Sequence, residues 1–170
     1  MSTTVRDAII EDAQCILEIY NFAVTKTTAV WSEEPSDIAL RQAWFRERTA
    51  RGFPILVAES AGRLVGFASF GDFRPWPGYR HTVENSVYVA PWIHRQGVGR
   101  ALMQSLIDRG VALGKHVMVA GIEETNTASI RLHNSLGFRE VGRMPHVGTK
   151  FGRWLDLVLM QRYLVADREP

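Results

Sequence analysis

The sequence predicts an α+β fold: a mixed, mostly antiparallel sheet flanked by helices. Three features lead there. Apolar runs of strand length alternate with longer stretches of helical periodicity. Residues 54–59 and 63–70 flank Ala61-Gly62 as a hairpin. The run ending at Val89 passes through a glycine-bearing loop into a helix, a crossover that calls for one parallel pairing. The chain has 170 residues, the length of a single domain over 1–170.

The elements follow in order. Residues 5–9 read as a strand and 11–24 as a helix, with Ala13, Ile16, Leu17, Tyr20 and Val24 on one face. Cys15 lies off that stripe as a half-buried thiol with no neighbour to activate it. A loop with Trp31 and Pro35 leads to a helix over 36–50, and the hairpin follows. Residues 71–81, rich in Pro, Trp, Tyr and Arg, read as irregular. A strand over 82–89, a helix over 97–113 and an apolar strand over 116–122 come next. Residues 127–136 form a short helix, with Asn126 as N-cap and Gly137 just past its end. A strand over 138–144, a loop and a strand over 154–164 close the chain.

Composition excludes several classes. The longest apolar runs fall short of the 18 or so residues a spanning helix needs, so no membrane association is expected. Met1 to Asp7 lack the apolar stretch of a secretion signal. The net charge is only +2 with Lys and Arg dispersed, so nucleic acid is not an expected partner. A single cysteine fits a reducing cytoplasm, and no Cys/His cluster has zinc spacing, so no metal is expected.

Residues 87–102 are the most informative stretch. A β-branched and aromatic run stops at Pro91, a loop carries His94 and Arg95, and Gly97 and Gly99 open a helix. First-turn amides lack intrahelical partners, and the macrodipole adds positive potential, so such an end suits a phosphate. The glycines admit a bulky anion, and Arg95 and Arg100 add charge. A dinucleotide fingerprint wants a small residue where Leu102 stands, and the Gly-Lys-Ser/Thr of a P-loop is absent. Taken alone, the same glycines serve equally as an ordinary turn into a surface helix.

A second segment, Asn126 to Phe138, changes the reading. Gln96-Gly97-Val98-Gly99 after the central strand, then Asn126-x-x-Ser129 and Leu132-His133-x-x-x-Gly137-Phe138, resemble in order and spacing the acyl-CoA site of the GCN5-related N-acetyltransferase superfamily. Residues 73–89, 29–35 and 150–156 are similar to the phosphinothricin and methionine sulfoximine/sulfone acetyltransferases, so the likeness covers about 4–164. One departure is His94, where the family usually has Arg or Gln.

The resemblance implies an acetyl-CoA-dependent, cytoplasmic N-acetyltransferase with a detoxifying role. Its acceptor would be the α-amino group of a small methionine-like or glutamine-like amino acid. Glu84 falls at the position of the catalytic base, and His133 at one suited to protonating the CoA thiolate. Backbone groups of Val87, Tyr88 and Val89 would pair with the pantetheine arm. Arg95, Gln96, Gly97, Val98, Gly99 and Arg100 would hold the pyrophosphate, with Asn126 and Ser135 as further CoA contacts. Substrate choice would sit in Arg74, Pro75, Trp76, Glu84, Asn85 and Ser86. Arg74 suits an α-carboxylate, Trp31, Trp76 and Tyr79 suit pocket walls, and Asn85 and Ser86 suit sulfone or sulfoximine oxygens. The subfamily's homodimers imply that Lys150, Phe151 and Trp154 reach a neighbour's pocket. Two other readings stay open: acetylation of a protein N-terminus or a polyamine, and an acyl-CoA-binding module without turnover.

Overall fold

The computed structural model describes residues 3–93 and 96–165. β-branched and aromatic runs fall into seven strands of one sheet: β1 (Thr3–Asp7), β2 (Ile55–Ser60), β3 (Arg63–Asp72), β4 (Thr82–Val89), β5 (Val117–Glu123), β6 (Arg139–Lys150) and β7 (Arg153–Tyr163). Their order is β1-β2-β3-β4-β5-β7-β6. Every pairing is antiparallel except β4 with β5, which the crossover helix requires. The helices are α1 (Ala13–Lys26), α2 (Ile38–Ala50), α3 (Val98–Ala112) and α4 (Thr127–Ser135).

The two sheet faces bury separate cores. Ile16 and Ile19 of α1 and Phe45 of α2 pack on Ile55, Val57 and Phe67. On the other face Leu102, Met103, Leu106 and Ile107 of α3 pack on Leu56, Ala68, Phe70 and Met118. Side chains alternate across a strand, so each strand feeds both cores. On β4 this puts Val83, Asn85, Val87 and Val89 toward α3 and α4, and Glu84, Ser86 and Tyr88 toward α1 and α2.

Three expectations need correction. β6 runs on to Lys150 where a loop was expected after 144. Register shifts at Glu140/Gly142 and Met144/Gly148 absorb the interruption, and β6 is an edge strand, where Pro145 is tolerated. Those shifts hide the two-residue alternation that sequence reading depends on. Cys15 is exposed rather than half-buried. Lys150 does not face a neighbour: it is 1% exposed, and its Nζ donates to the carbonyls of Val24, Thr27 and Val30 in its own chain. Phe151 and Trp154 remain exposed. No helix among the described residues is long and apolar enough to cross a membrane.

Candidate active site

β4 and β5 pair only at Thr82–Val117, Val83–Met118 and Glu84–Val119. Beyond Glu84 the ladder stops, although β4 continues to Val89 and β5 to Glu123. The result is a fork whose β4 arm offers unpaired backbone groups to an extended, amide-bearing ligand. Asn85 terminates the ladder. Its Nδ2 donates to the Val119 carbonyl at 2.9 Å, and its Oδ1 accepts from His133 Nε2 at 3.1 Å.

His133 is therefore a tie between α4 and the fork's apex. The Asn85 amide is fixed by the Val119 carbonyl, so Nε2 must carry the hydrogen. Nδ1 is then the acceptor: Ser129 Oγ, which can donate to it, lies at 3.4 Å, and the Ser129 carbonyl, which cannot, lies at 2.9 Å. The ring is 2% exposed, and burial holds its pKa below the ordinary histidine value. Both nitrogens are thus engaged within the protein. A thiolate-protonating role would need one of them free, and Asn85 is likewise committed on both sides of its amide.

Glu84 sits at the apex on the opposite face, half-buried in a cavity shared with Asn85, Ser86, Gly121, Asn126 and His133. Among the described residues its carboxylate has no hydrogen-bond or salt-bridge partner. Burial pushes its pKa up, and the charge of Arg74 pulls it part of the way back. Gly121 leaves the carboxylate room: an added Cβ would stand 3.2 Å from Oε1. Gly121→Ala is expected to lower kcat/KM roughly tenfold by displacing that oxygen, with thermal stability little changed. Steady-state kinetics beside a melting curve checks this.

A longer cleft continues from the apex between α1, the β4 arm and α4, lined by Lys26, Val87, Val89, Asn126, Ala128 and Leu132. Asn126 both caps α4, accepting from Ser129 N at 3.2 Å, and lines both cavities. α3 starts near the open end of the β4 arm. Its N-cap, Gly97, has φ 73° and no side-chain cap, so the amides of Val98, Gly99 and Arg100 have no helical partner. A Cβ on Gly99 would press on Leu132 at 3.3 Å and Val89 at 3.6 Å, so this glycine also lets α3, α4 and β4 meet. Arg100 Nη1 donates to Ser135 Oγ at 3.0 Å across the gap between α3 and α4. Arg95, and His94 before it, lie outside the described residues.

The substrate segment is only partly assembled. Glu84 and Ser86 line the cavity, whereas Arg74, Pro75 and Trp76 do not. Trp76 is 70% exposed, and Arg74 donates to the Phe73 carbonyl at 2.7 Å while its charge still acts on Glu84. Trp31 packs on Gly148, and its Nε1 donates to Thr28 O at 3.0 Å. Sequence reading missed Gly121 and Ala29 as lining residues, since nothing in their local pattern marks them. It also missed Arg41, which sits among Arg, Gln and Glu in a helix that reads as a solvated surface. Among the described residues no group of His, Cys, Asp and Glu could hold a metal ion.

Comparison with known proteins fits this geometry. The acetyltransferase (GNAT) family model matches residues 16–138. A Pseudomonas aeruginosa protein named L-methionine sulfoximine/L-methionine sulfone acetyltransferase is 56% identical over 169 residues, covering 99% of this chain and 98% of its own. A solved structure of an acetyltransferase from Salmonella typhimurium with its cofactor acetyl-CoA has a TM-score of 0.97 at 50% identity, covering 100% of this chain and 98% of that one. A structure from Brucella melitensis, described as a ribosomal-protein-alanine N-acetyltransferase, has a TM-score of 0.93 at 48% identity, covering 94% of this chain and 99% of that one.

Proposed function

The chain belongs to the GNAT acetyltransferase family and is an acetyl-CoA-dependent N-acetyltransferase, and from that premise we propose that its acceptor is the α-amino group of L-methionine sulfone or L-methionine sulfoximine, with phosphinothricin as the phosphorus counterpart. The whole of 1–170 acts as one catalytic domain in this reading. The observation that carries it is Glu84: an unpartnered, half-buried carboxylate where the two strands part. The name of the 56% identical relative supports the acceptor class.

Transfer proceeds without a covalent enzyme intermediate, because the thioester is already activated. Glu84 takes a proton from the acceptor ammonium, directly or through one water. The freed nitrogen attacks the thioester carbon, the new N–C bond forms, and the C–S bond breaks. CoA leaves as a thiolate that takes up a proton, so one proton is released overall. The unpaired β4 groups from Val87 to Val89 seat the pantetheine arm, and the α3 amides from Gly97 to Arg100 seat the pyrophosphate. Gln96 opens that turn, and Asn126 and Ser135 border the arm's path. His133 is a positioning residue that keeps the fork open through Asn85. Arg74 holds the α-carboxylate and tunes Glu84, with Pro75 and Trp76 beside it on the acceptor's entry side.

Two further parts belong to this proposal. A second copy of the chain covers the exposed apolar residues Val141, Met144, Val147 and Trp154 of β6 and β7. Light scattering is expected to give twice the 19.2 kDa chain mass, and a monomer would remove that part. The setting is cytoplasmic, where the free thiol of Cys15 stays reduced, and acetylation there detoxifies the amino acid.

The Brucella relative keeps protein N-terminal acetylation as a second reading. Against it stand Arg74 and Arg80 before β4, which favour a small anionic acceptor over a long chain. The deciding experiment follows CoA thiol release with acetyl-CoA and L-methionine sulfone. Sustained release is expected. Acetyl-CoA binding with no release on any amine would leave an acyl-CoA-binding module instead.

A further inference from the structure

Arg41 is a buried cation without a counter-charge. It is 6% exposed, and its guanidinium lies 3.8 Å above the Tyr20 ring and 4.8 Å from that of Trp44. Its Nε has no hydrogen-bond partner. Among the described residues no carboxylate forms a salt bridge with it, although Arg6, Arg51, Arg109 and Arg143 all have one. A guanidinium out of water needs acceptors for all its donors; beside it only the Tyr20 hydroxyl offers one, and the aromatic faces supply none. Arg41 borders a cavity between α2 and the sheet that Tyr20, Trp44, Ser69 and Ser86 also line.

That cavity adjoins the catalytic one. Ser86 and Tyr88 line both. Glu84 and Ser86 point to the same face of β4, and two residues of strand separate them by about 6–7 Å. With the acceptor nitrogen at Glu84, a group at the Ser86 level lies beyond the reach of the α-carboxylate, which is one bond from the α-carbon. An extended side chain of two methylenes ending in a sulfur or phosphorus oxygen covers the interval. The aromatic walls suit the methylenes. Guanidinium and hydroxyl suit the oxygens.

We propose that the cavity under α2 is the acceptor's side-chain subsite, in which Arg41, assisted by Ser86, binds the sulfone, sulfoximine or phosphinate oxygens and sets specificity. This rests on the acetyltransferase reading above. It replaces Asn85, whose amide is occupied, as the ligand of those oxygens.

The test pairs binding with turnover for L-methionine sulfone and for L-methionine, which lacks the oxygens. Wild type, Arg41→Met and Ser86→Ala are titrated calorimetrically in the presence of CoA, then assayed. Arg41→Met is expected to raise Kd and KM for the sulfone at least roughly tenfold, with methionine changed little and kcat less affected. Ser86→Ala, which keeps the packing of α2, is expected to show a smaller loss in the same selective direction. It carries the test if Arg41→Met does not fold. Equal weakening of both ligands, or of neither, overturns the proposal, as does a wild type that binds no sulfone. A wild type that binds sulfone through Arg41 yet acetylates nothing would sink the functional reading and leave this one standing. Acetylation with unchanged selectivity in both variants would do the reverse.

Discussion

Replacing Glu84 by Gln is expected to lower kcat/KM for amine acetylation by about 10²- to 10⁴-fold, the usual contribution of a positioned general base. The amide keeps the shape of the carboxylate, so Gly121 and the cavity wall are not disturbed. The contacts proposed for acetyl-CoA are with backbone groups of β4 and α3, so its affinity is expected to be unchanged in a direct titration. With Glu84 as the proposed base, the same residue is expected to set the acidic limb of the pH profile. Burial raises the Glu84 pKa, so kcat/KM falls as pH drops through that raised value and the base is protonated. Arg74 opposes the rise. Arg74→Gln is therefore expected to move the acidic limb to higher pH, and an unmoved limb would remove Glu84 or Arg74 from this role.

Lys150→Met is expected to be the most destabilising single change outside the two cores. Val24 lies in the last turn of α1, where carbonyls lack helical partners, and the ammonium meets it together with Thr27 O and Val30 O. A cation there also complements the helix dipole. Methionine fills the volume and leaves three acceptors without a donor. The expected loss is about 3–5 kcal/mol, since each orphaned buried acceptor costs about 1–3 kcal/mol and not all will stay dry. The melting temperature should fall by roughly 10 °C. Thr27, Thr28 and Ala29 line the cleft proposed for the pantetheine arm, so KM for acetyl-CoA should rise as well. A melting curve within one or two degrees of wild type would contradict the assignment of Lys150 as the staple of this loop.

The sheet and its helices were legible because their signals are local. Gly97 must take positive φ at the start of α3, Asn126 must cap α4, and the Ala61-Gly62 turn needs left-handed conformations at both positions. The stretch of β4 that borders the cavity and the cleft, from Glu84 to Val89, was legible for the same reason. What was hidden comes from contacts between distant segments. Asn85 and His133 are 48 positions apart, and only the fold shows that each occupies the other. Lys150 reads as reaching a neighbour's pocket until α1 is placed against it, with Val24 126 positions away. Arg41 reads as one of several surface cations on a polar helix, and its burial depends on Tyr20 and Trp44 closing over it. Residues 74–76 read as pocket wall because the segment is rich in aromatics, while the fold leaves Trp76 exposed and all three residues outside the cavity lining.

The most direct measurement is a competition. Limiting acetyl-CoA is supplied to the protein with equal concentrations of L-methionine sulfone, spermidine and a short peptide beginning with alanine, and the acetylated products are identified by mass. Nα-acetyl-methionine sulfone as the dominant product is the expected result. Dominance of the acetylated peptide or of acetylspermidine would contradict the account, keeping the acetyl-CoA chemistry at the fork and removing the small oxygen-bearing amino acid as its acceptor.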